Sequence, residues 1–311
     1  MTRITTRTHA LKRAGGIRRL SIDVRPWLYL APAIVAVALV LLFPLVMGFV
    51  QGFIGHSASD PFSDSGFVGF ANFQAVFSDP AIGRVLANTG FWIAVTLAMQ
   101  TSLGVILALA LNGTGLAVRI VRPFLFIPWA IPSILVGLFW KVLINPGTSF
   151  LPSLLFRAGL LSDPSDLLAN PDVVLWGPVI AYVWVGIPFF AITTLAALQT
   201  IPQELYEAKR LDGESHWDIF WSLTLPLIMP TLGASMLLRL VWISNFGDLV
   251  WVMTRGGPAG ASQITATYIF SKAFVELDEG AASAMATMQA LTLFVFIFIV
   301  IRIKKARTQD R

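Results

Sequence analysis

Six apolar blocks, each long enough to cross a hydrocarbon layer as a helix, leave this chain few folds to choose from. They occupy residues 27–50, 88–111, 123–144, 173–198, 229–252 and 283–301. A soluble core would interleave apolar with polar positions at a helix or strand period, whereas here the apolar residues arrive in runs. About 20 such residues span a bilayer core, and a helix satisfies its own backbone there. The expected fold is an all-α integral membrane protein: six transmembrane helices over 27–301, between a basic tail at 1–26 and another at 302–311. Pro44, Pro128, Pro132, Pro178 and Pro188 interrupt the blocks. Such breaks persist where neighbouring helices or water take up the freed carbonyls, and they mark candidate pathway linings. The first block is too long for a signal peptide and has no small-residue cleavage site before Gln51, so it reads as a retained helix.

Charge sets the orientation. Sixteen lysines and arginines lie in the two tails and in the loops holding Arg119, Arg122, Lys209 and Arg210, against four (Arg84, Arg157, Arg255 and Lys272) in the opposite loops. The rich side faces the cytoplasm, which puts both termini and the 200–228 loop inside. The net charge of +5 therefore orients the chain and anchors its tail near anionic lipid; without a folded basic domain it does not indicate nucleic acid. With no cysteine, disulfides, thiolate metal sites and cysteine nucleophiles are excluded, and His9, His56 and His216 are scattered. There is no HExxH and no GxxxxGK[ST] phosphate loop, so neither zinc hydrolysis nor ATP binding by this chain is expected.

The 200–228 loop has more grammar than a connection needs. Pro202 suits a first helical turn. Glu204 and Glu207 near the start, with Lys209 and Arg210 near the end, complement a helix dipole. Gly213 can take the left-handed conformation that stops the helix. Ser215 and Asp218 have the spacing of a capping box for a second helix, whose apolar face is Trp217, Phe220 and Trp221. The expected product is a short helix, a glycine turn and another short helix on the membrane surface, a rigid knob for a soluble partner.

Glu207-Ala208, Asp212-Gly213 and Leu223-x-Leu225-Pro226 resemble the EAA loop of ABC importer permeases, with nine residues between Gly213 and Leu223. The sequence departs from that pattern at Lys209 and Glu214, where the family favours alanine, and at Leu223 in place of isoleucine. Phe67-Val68-Gly69-Phe70-Ala71-Asn72-Phe73 with Asp79-Pro80 resembles the FVGLxNY…DP segment of carbohydrate-type members. Asp248 to Pro258 resembles their FDxIYxLTxGGP signature, with Gly247 for phenylalanine and Trp251 for tyrosine. Gly256-Gly257-Pro258 is expected to make the turn that ends the fifth helix. The resemblance covers about 25–305 and extends to the maltose, glycerol-3-phosphate and trehalose type.

That resemblance implies a permease of a prokaryotic plasma membrane, non-catalytic, forming half of the pathway for a sugar or sugar-like solute. Its implied partners are a second homologous permease, in a heterodimer, an extracytoplasmic solute-binding protein, and an ABC ATPase dimer that uses ATP and Mg. This chain binds no cofactor itself. Glu207, Ala208, Asp212, Gly213, Leu225 and Pro226 are then the coupling residues.

Polar groups inside spans are costly and so point to function. The fifth span sets Ser244 and Asn245 beside Trp242 and Phe246, and the fourth carries Tyr182, Gly186 and Phe189 on one face. A sugar has a rim of hydroxyls and apolar C–H faces, so its site pairs polar groups with flat aromatic ones. The resemblance points by position to Tyr182, Val185, Gly186, Phe189, Trp242, Ile243, Ser244, Asn245 and Phe246. Arg239 is left either to pair with a carboxylate or to extend toward the cytoplasm. The competing function is an ion-gradient-driven secondary transporter, for which Asp248 is the one membrane acid and no repeat is evident. A membrane enzyme would need a nucleophile and base, or a metal set, that the blocks do not contain.

Overall fold

The apolar blocks become helices, but two of them break where a solute could pass. The computed structural model describes residues 25–57, 60–113 and 115–309; residues 1–24 of the basic N-terminal tail lie outside these. The chain divides into two units at Met47/Gly48. The first holds α1 (Arg25–Val37), a π-turn at Ala38–Leu42 and most of α2 (Phe43–Gln51). The π-turn lies just before Pro44, whose nitrogen cannot donate to the helical ladder.

The second unit opens with a departure from an all-helical chain. Strands β1 (Ile54–Ser57) and β2 (Asp60–Phe67) pair antiparallel, with Ile54 opposite Phe67. Asn72, on α3 (Ala71–Ser78), donates to Gly52 O at 3.0 Å and to Ile54 O at 2.8 Å, pinning the ribbon to the helix. The Phe67–Phe73 motif is thus built around a structural asparagine.

Then follow α4 (Ile82–Ala110), α5 (Leu116–Phe124), α6 (Ile127–Ala130), α7 (Ser133–Leu143), α8 (Leu151–Arg157) and α9 (Asp166–Ala169). After them come α10 (Trp176–Gln199), α11 (Gln203–Leu211), α12 (His216–Ile219), a π-turn at Phe220–Thr224 and α13 (Leu225–Asn245). The chain closes with α14 (Asp248–Thr254), α15 (Thr265–Phe274) and α16 (Glu279–Gln309). Among the described residues, helices at 29–51, 82–110, 176–199, 216–245 and 279–303 are long and apolar enough to cross a membrane; the pair 118–130 and 133–143, bent by 97°, would make a sixth crossing.

The bend replaces the straight helix expected at 123–144. Pro132 forces Ile131 into the extended region (φ −85°, ψ 130°), so the helix stops and restarts at Ser133. The fifth span also differs from 229–252. It rises directly out of the 200–228 elbow as one helix from His216, ends at Asn245, and restarts at Asp248. At that break Gly247 lies so close to Ala266 that an added Cβ would sit 2.7 Å from the alanine's Cβ. The phenylalanine usual in the related signature has no room there.

The main packing contact is α4 against α10, and small residues set it. A Cβ at Gly104 would lie 2.3 Å from Phe190 Cβ, and one at Gly186 would lie 2.0 Å from Gln100 Cδ. In lipid, close backbone approach of this kind drives helix association, because apolar burial against lipid tails gains little. Trp92, Tyr182, Val136, Ile243 and Leu249 form the centre of one buried cluster, and Phe190, Leu198 and Ile228 belong to a second.

At the other end a polar clasp joins α3 to α15. Tyr268 Oη donates to Asp79 Oδ2 at 2.8 Å and Lys272 Nζ lies 3.3 Å from the same oxygen. Burial pushes the Asp79 carboxyl upward, but hydrogen bonds from Ala81 N–H, Tyr268 and Lys272 outweigh it and hold it below its ordinary 3.8. Lys272 is held above its ordinary 10.5: burial opposes, and Glu276 and Asp79 prevail. The clasp's stabilisation is therefore full above about pH 4 and fades as pH falls through the lowered Asp79 value; at the basic end it fades as pH rises past the raised Lys272 value. Asp79→Asn should lower stability by about 1 kcal/mol at pH 7 and flatten the acid limb of a thermal-melt series. An unchanged acid limb would remove Asp79 from this role.

Candidate functional site: a cleft at two helix breaks and a helical elbow

The two breaks meet. Ser133, the first residue of α7, donates through its hydroxyl to Asp248 Oδ2, in the first turn of α14. Beside this contact lies an open cleft of about 500 Å³ lined by Trp129, Ile131, Ser133, Tyr182, Val185, Arg239, Val241, Trp242, Asn245 and Phe246. Discontinuous helices of this kind put irregular backbone and polar side chains at membrane depth only where they border a cavity.

Of the nine residues singled out from the sequence, Tyr182, Val185, Trp242, Asn245 and Phe246 line the cleft. Gly186 does not; it accommodates Gln100 from α4. Ile243 is 0% exposed and packs in the core. Ser244 is buried too, donates to Leu240 O at 2.8 Å and borders a different recess between α4 and α16. Phe189 stands one layer behind, 5.6 Å from the Trp242 ring. Residues 242–246 follow a helix up to its last turn, so only every third or fourth faces the cleft.

The aromatic wall is a stack. Phe246 lies 4.5 Å from Tyr182, and Tyr182 lies 5.3 Å from Trp92, both pairs nearly parallel. Trp92 is fixed from below by its Nε1–H to Ile243 O at 3.0 Å. Asn245 donates to Val241 O at 2.8 Å and keeps an exposed amide at the rim.

Behind this wall sits Arg239, only 2% exposed, which is turned inward and, among the described residues, meets no carboxylate. Its Nε donates to Gln100 Oε1 at 2.8 Å, and Gln100 Nε2 donates to Tyr182 O at 2.7 Å. The guanidinium carbon lies 5.0 Å from the Tyr182 ring centre, 5.7 Å from Trp242 and 5.9 Å from Phe189. Sequence reasoning missed Gln100, Ser133 and Trp129. A polar residue inside the second apolar block was the signal for Gln100; Trp129 and Ser133 become lining residues only through the Pro132 bend.

The elbow is well defined. α11 follows Pro202, which occupies the cap position rather than the first turn. It ends in a Schellman arrangement: Gly213 (φ +81°) donates to Arg210 O at 3.1 Å and Glu214 to Lys209 O at 3.1 Å. Ser215 Oγ accepts from Asp218 N–H at 3.2 Å while Asp218 Oδ2 accepts from Ser215 N–H at 3.3 Å, closing the capping box of α12. Two of the three departures from the EAA pattern pair with each other: Lys209 Nζ lies 2.6 Å from Glu214 Oε1, and Ser222 Oγ donates to Glu214 Oε2 at 3.0 Å. The hydrogen bond from Lys209 holds the Glu214 carboxyl below its ordinary range. Together they brace the turn across its concave side. Glu207, Ala208, Asp212, Gly213 and Pro226 are exposed. Leu225 packs into the second core cluster, and Tyr206 Oη meets Thr224 Oγ1 at 3.3 Å, tying α11 to the helix that reaches the cleft.

The family model described as "Binding-protein-dependent transport system inner membrane component" matches residues 100–308. The trehalose/maltose transport system permease protein MalF of Thermococcus litoralis is 31% identical over 78% of this chain and 81% of that protein. The sn-glycerol-3-phosphate transport system permease protein UgpA of Rhizobium meliloti is 30% identical over 89% and 94%. Among solved structures, a chain of a bacterial ABC transporter involved in the import of the acidic polysaccharide alginate shares the fold: TM-score 0.77, 22% identity, 91% of this chain and 97% of that one.

Proposed function

Because this chain belongs to the family of binding-protein-dependent transport system inner membrane components, and is a permease of an ABC importer, we propose that it forms half of a translocation pathway for a sugar or sugar-like solute. The observation that carries the solute class is the cleft itself: aromatic faces from Trp129, Tyr182, Trp242 and Phe246 around the polar groups of Asn245 and Ser133. The names of MalF, for trehalose/maltose transport, and UgpA, for sn-glycerol-3-phosphate transport, support it.

In this proposal six spans cross a prokaryotic plasma membrane, with both termini and the elbow cytoplasmic. A second homologous permease supplies the facing half of the cleft in a heterodimer, and a soluble binding protein delivers solute outside. An ABC ATPase dimer, using ATP and Mg, receives the elbow; this chain binds no cofactor and catalyses nothing. Closure of the ATPases moves α11 and α12. The Tyr206–Thr224 contact and the continuous helix from His216 to Asn245 carry that movement about 45 Å to the break at Phe246–Gly247 (30 residues at the helical rise). Rigid-body rocking then opens the cleft to alternate sides.

Asn245→Ala tests the cleft. Losing one polar contact to solute should raise the KM for ATP-driven uptake about tenfold, with the ATPase still bound and its basal rate unchanged. Unaltered uptake kinetics would remove Asn245 from the pathway.

A further inference from the structure

Arg239 has more donors than the protein uses. An arginine carries five N–H groups and stays charged. Here Nε is taken by Gln100, while Nη2 is buried with no hydrogen-bond partner. Across α4, α5, α6, α7, α10, α13, α14 and α15 the sequence holds a single acidic residue, Asp248. Asp248 is engaged by Ser133, and no ion pair joins it to Arg239 among the described residues.

Magnitudes explain how the charge survives there. A cation at mid-membrane costs about 2.5–3.5 kcal/mol on insertion scales. Three aromatic rings at cation–π distance return about 0.5–2 kcal/mol each. The charge is thus tolerated without a counterion and left uncommitted. A guanidinium fork with free N–H groups matches a carboxylate or a phosphate in two-pronged geometry. Arg239 borders the cleft, and Trp242, 38% exposed, lies between the guanidinium and the open side with its ring centre 5.7 Å from the guanidinium carbon.

We propose that the cleft recognises a solute bearing an anionic group, a carboxylate or a phosphate on a sugar-like body, with Arg239 as the residue that selects for the charge. This rests on the importer reading above and narrows its solute class.

The test uses the assembled importer, this chain with its partner permease and ATPase, in nanodiscs. Binding of galacturonate, galactose and galactose 6-phosphate is followed by tryptophan emission. Galacturonate and galactose differ at one carbon, carboxylate against hydroxymethyl; the phosphate arm separates the two anion chemistries. The wild-type complex should bind one of the acidic sugars about tenfold or more tightly than galactose, the scale of one hydrogen bond to a charged group. Added salt should weaken that preference. Arg239→Gln should abolish it, so that acidic and neutral sugars bind alike, and Arg239→Lys should retain part of it. Equal binding of acidic and neutral sugars by the wild type, or no saturable response to any probe, overturns the proposal without recourse to a variant. So does an Arg239→Gln complex that falls apart while the wild type shows no charge preference, which would assign the cation to a partner's carboxylate. ATP-driven uptake of a neutral sugar by the same complex would leave the importer reading intact while the anion proposal fails.

Discussion

Gly213→Val is expected to abolish ATP-driven uptake while the importer still assembles in the membrane. Gly213 has φ +81°, and a Cβ added there would meet no atom within 4 Å. Steric overlap with neighbours therefore plays no part; the whole effect is backbone conformation. A β-branched residue in the left-handed region costs about 1–3 kcal/mol. Because Gly213 itself has open space around it and only the Lys209–Glu214–Ser222 contacts brace the turn, the chain relieves that strain by refolding it. The Schellman bonds to Lys209 and Arg210 are lost, and with them the angle between α11 and α12. A knob of altered shape no longer transmits the ATPase's closure. Gly213→Asn is the control, since asparagine tolerates this region, and should keep most of the transport. Solute uptake and ATP hydrolysis in proteoliposomes read both. Full transport by Gly213→Val at normal membrane levels would contradict the role given to the elbow.

Gly186→Ala should cost the protein about 3–5 kcal/mol, made up of about 1.5–3 for the lost hydrogen bond to a charged group and about 1–3 for overpacking the site. The new methyl would lie 2.0 Å from Gln100 Cδ and 2.1 Å from its Nε2, so the glutamine side chain must leave. Its departure strips Tyr182 O of a donor and Arg239 Nε of its acceptor. A buried guanidinium then faces only aromatic rings. The readout is thermal unfolding of the purified complex, with loss of about 10 °C or failure to assemble expected. Gly83→Ala, on the same helix as Gln100 but with open space at its Cβ, should change nothing measurable. A Gly186→Ala complex as stable as the wild type would mean that the α4–α10 contact is looser than described.

How much of this the sequence disclosed depends on the range of the interaction. The capping box at Ser215 and the stop at Gly213 are local, set by side chains and backbone within a few residues, so the elbow could be read almost whole. The Gly256-Gly257-Pro258 turn is local too, and α14 does end at Thr254 just before it. The breaks were harder. Pro132 marked one, but a proline says only that the ladder is interrupted; a 97° bend depends on what packs outside it. The break at Gly247 follows from Ala266, nineteen residues on, which no pattern within the fifth block reveals. The cleft residues illustrate the same limit. Composition of the fourth and fifth blocks pointed to helices that border the cleft, whereas facing was decided by contacts from α4: Gln100 fills the side of α10 where Gly186 lies, and Trp92 stands on Ile243. The α3–α15 clasp and the two-stranded ribbon pair residues far apart in sequence or short in extent, and periodicity carries no signal for either.

The central claim, that the α11–α12 elbow seats in the ATPase, is tested most directly at Leu211, which is 89% exposed at the end of α11. With a photocrosslinking residue at position 211 in the assembled importer, illumination should yield a covalent adduct between this chain and the ATPase subunit, with a yield that changes when ATP is added. Adducts to the external binding protein, or to lipid alone, would contradict it.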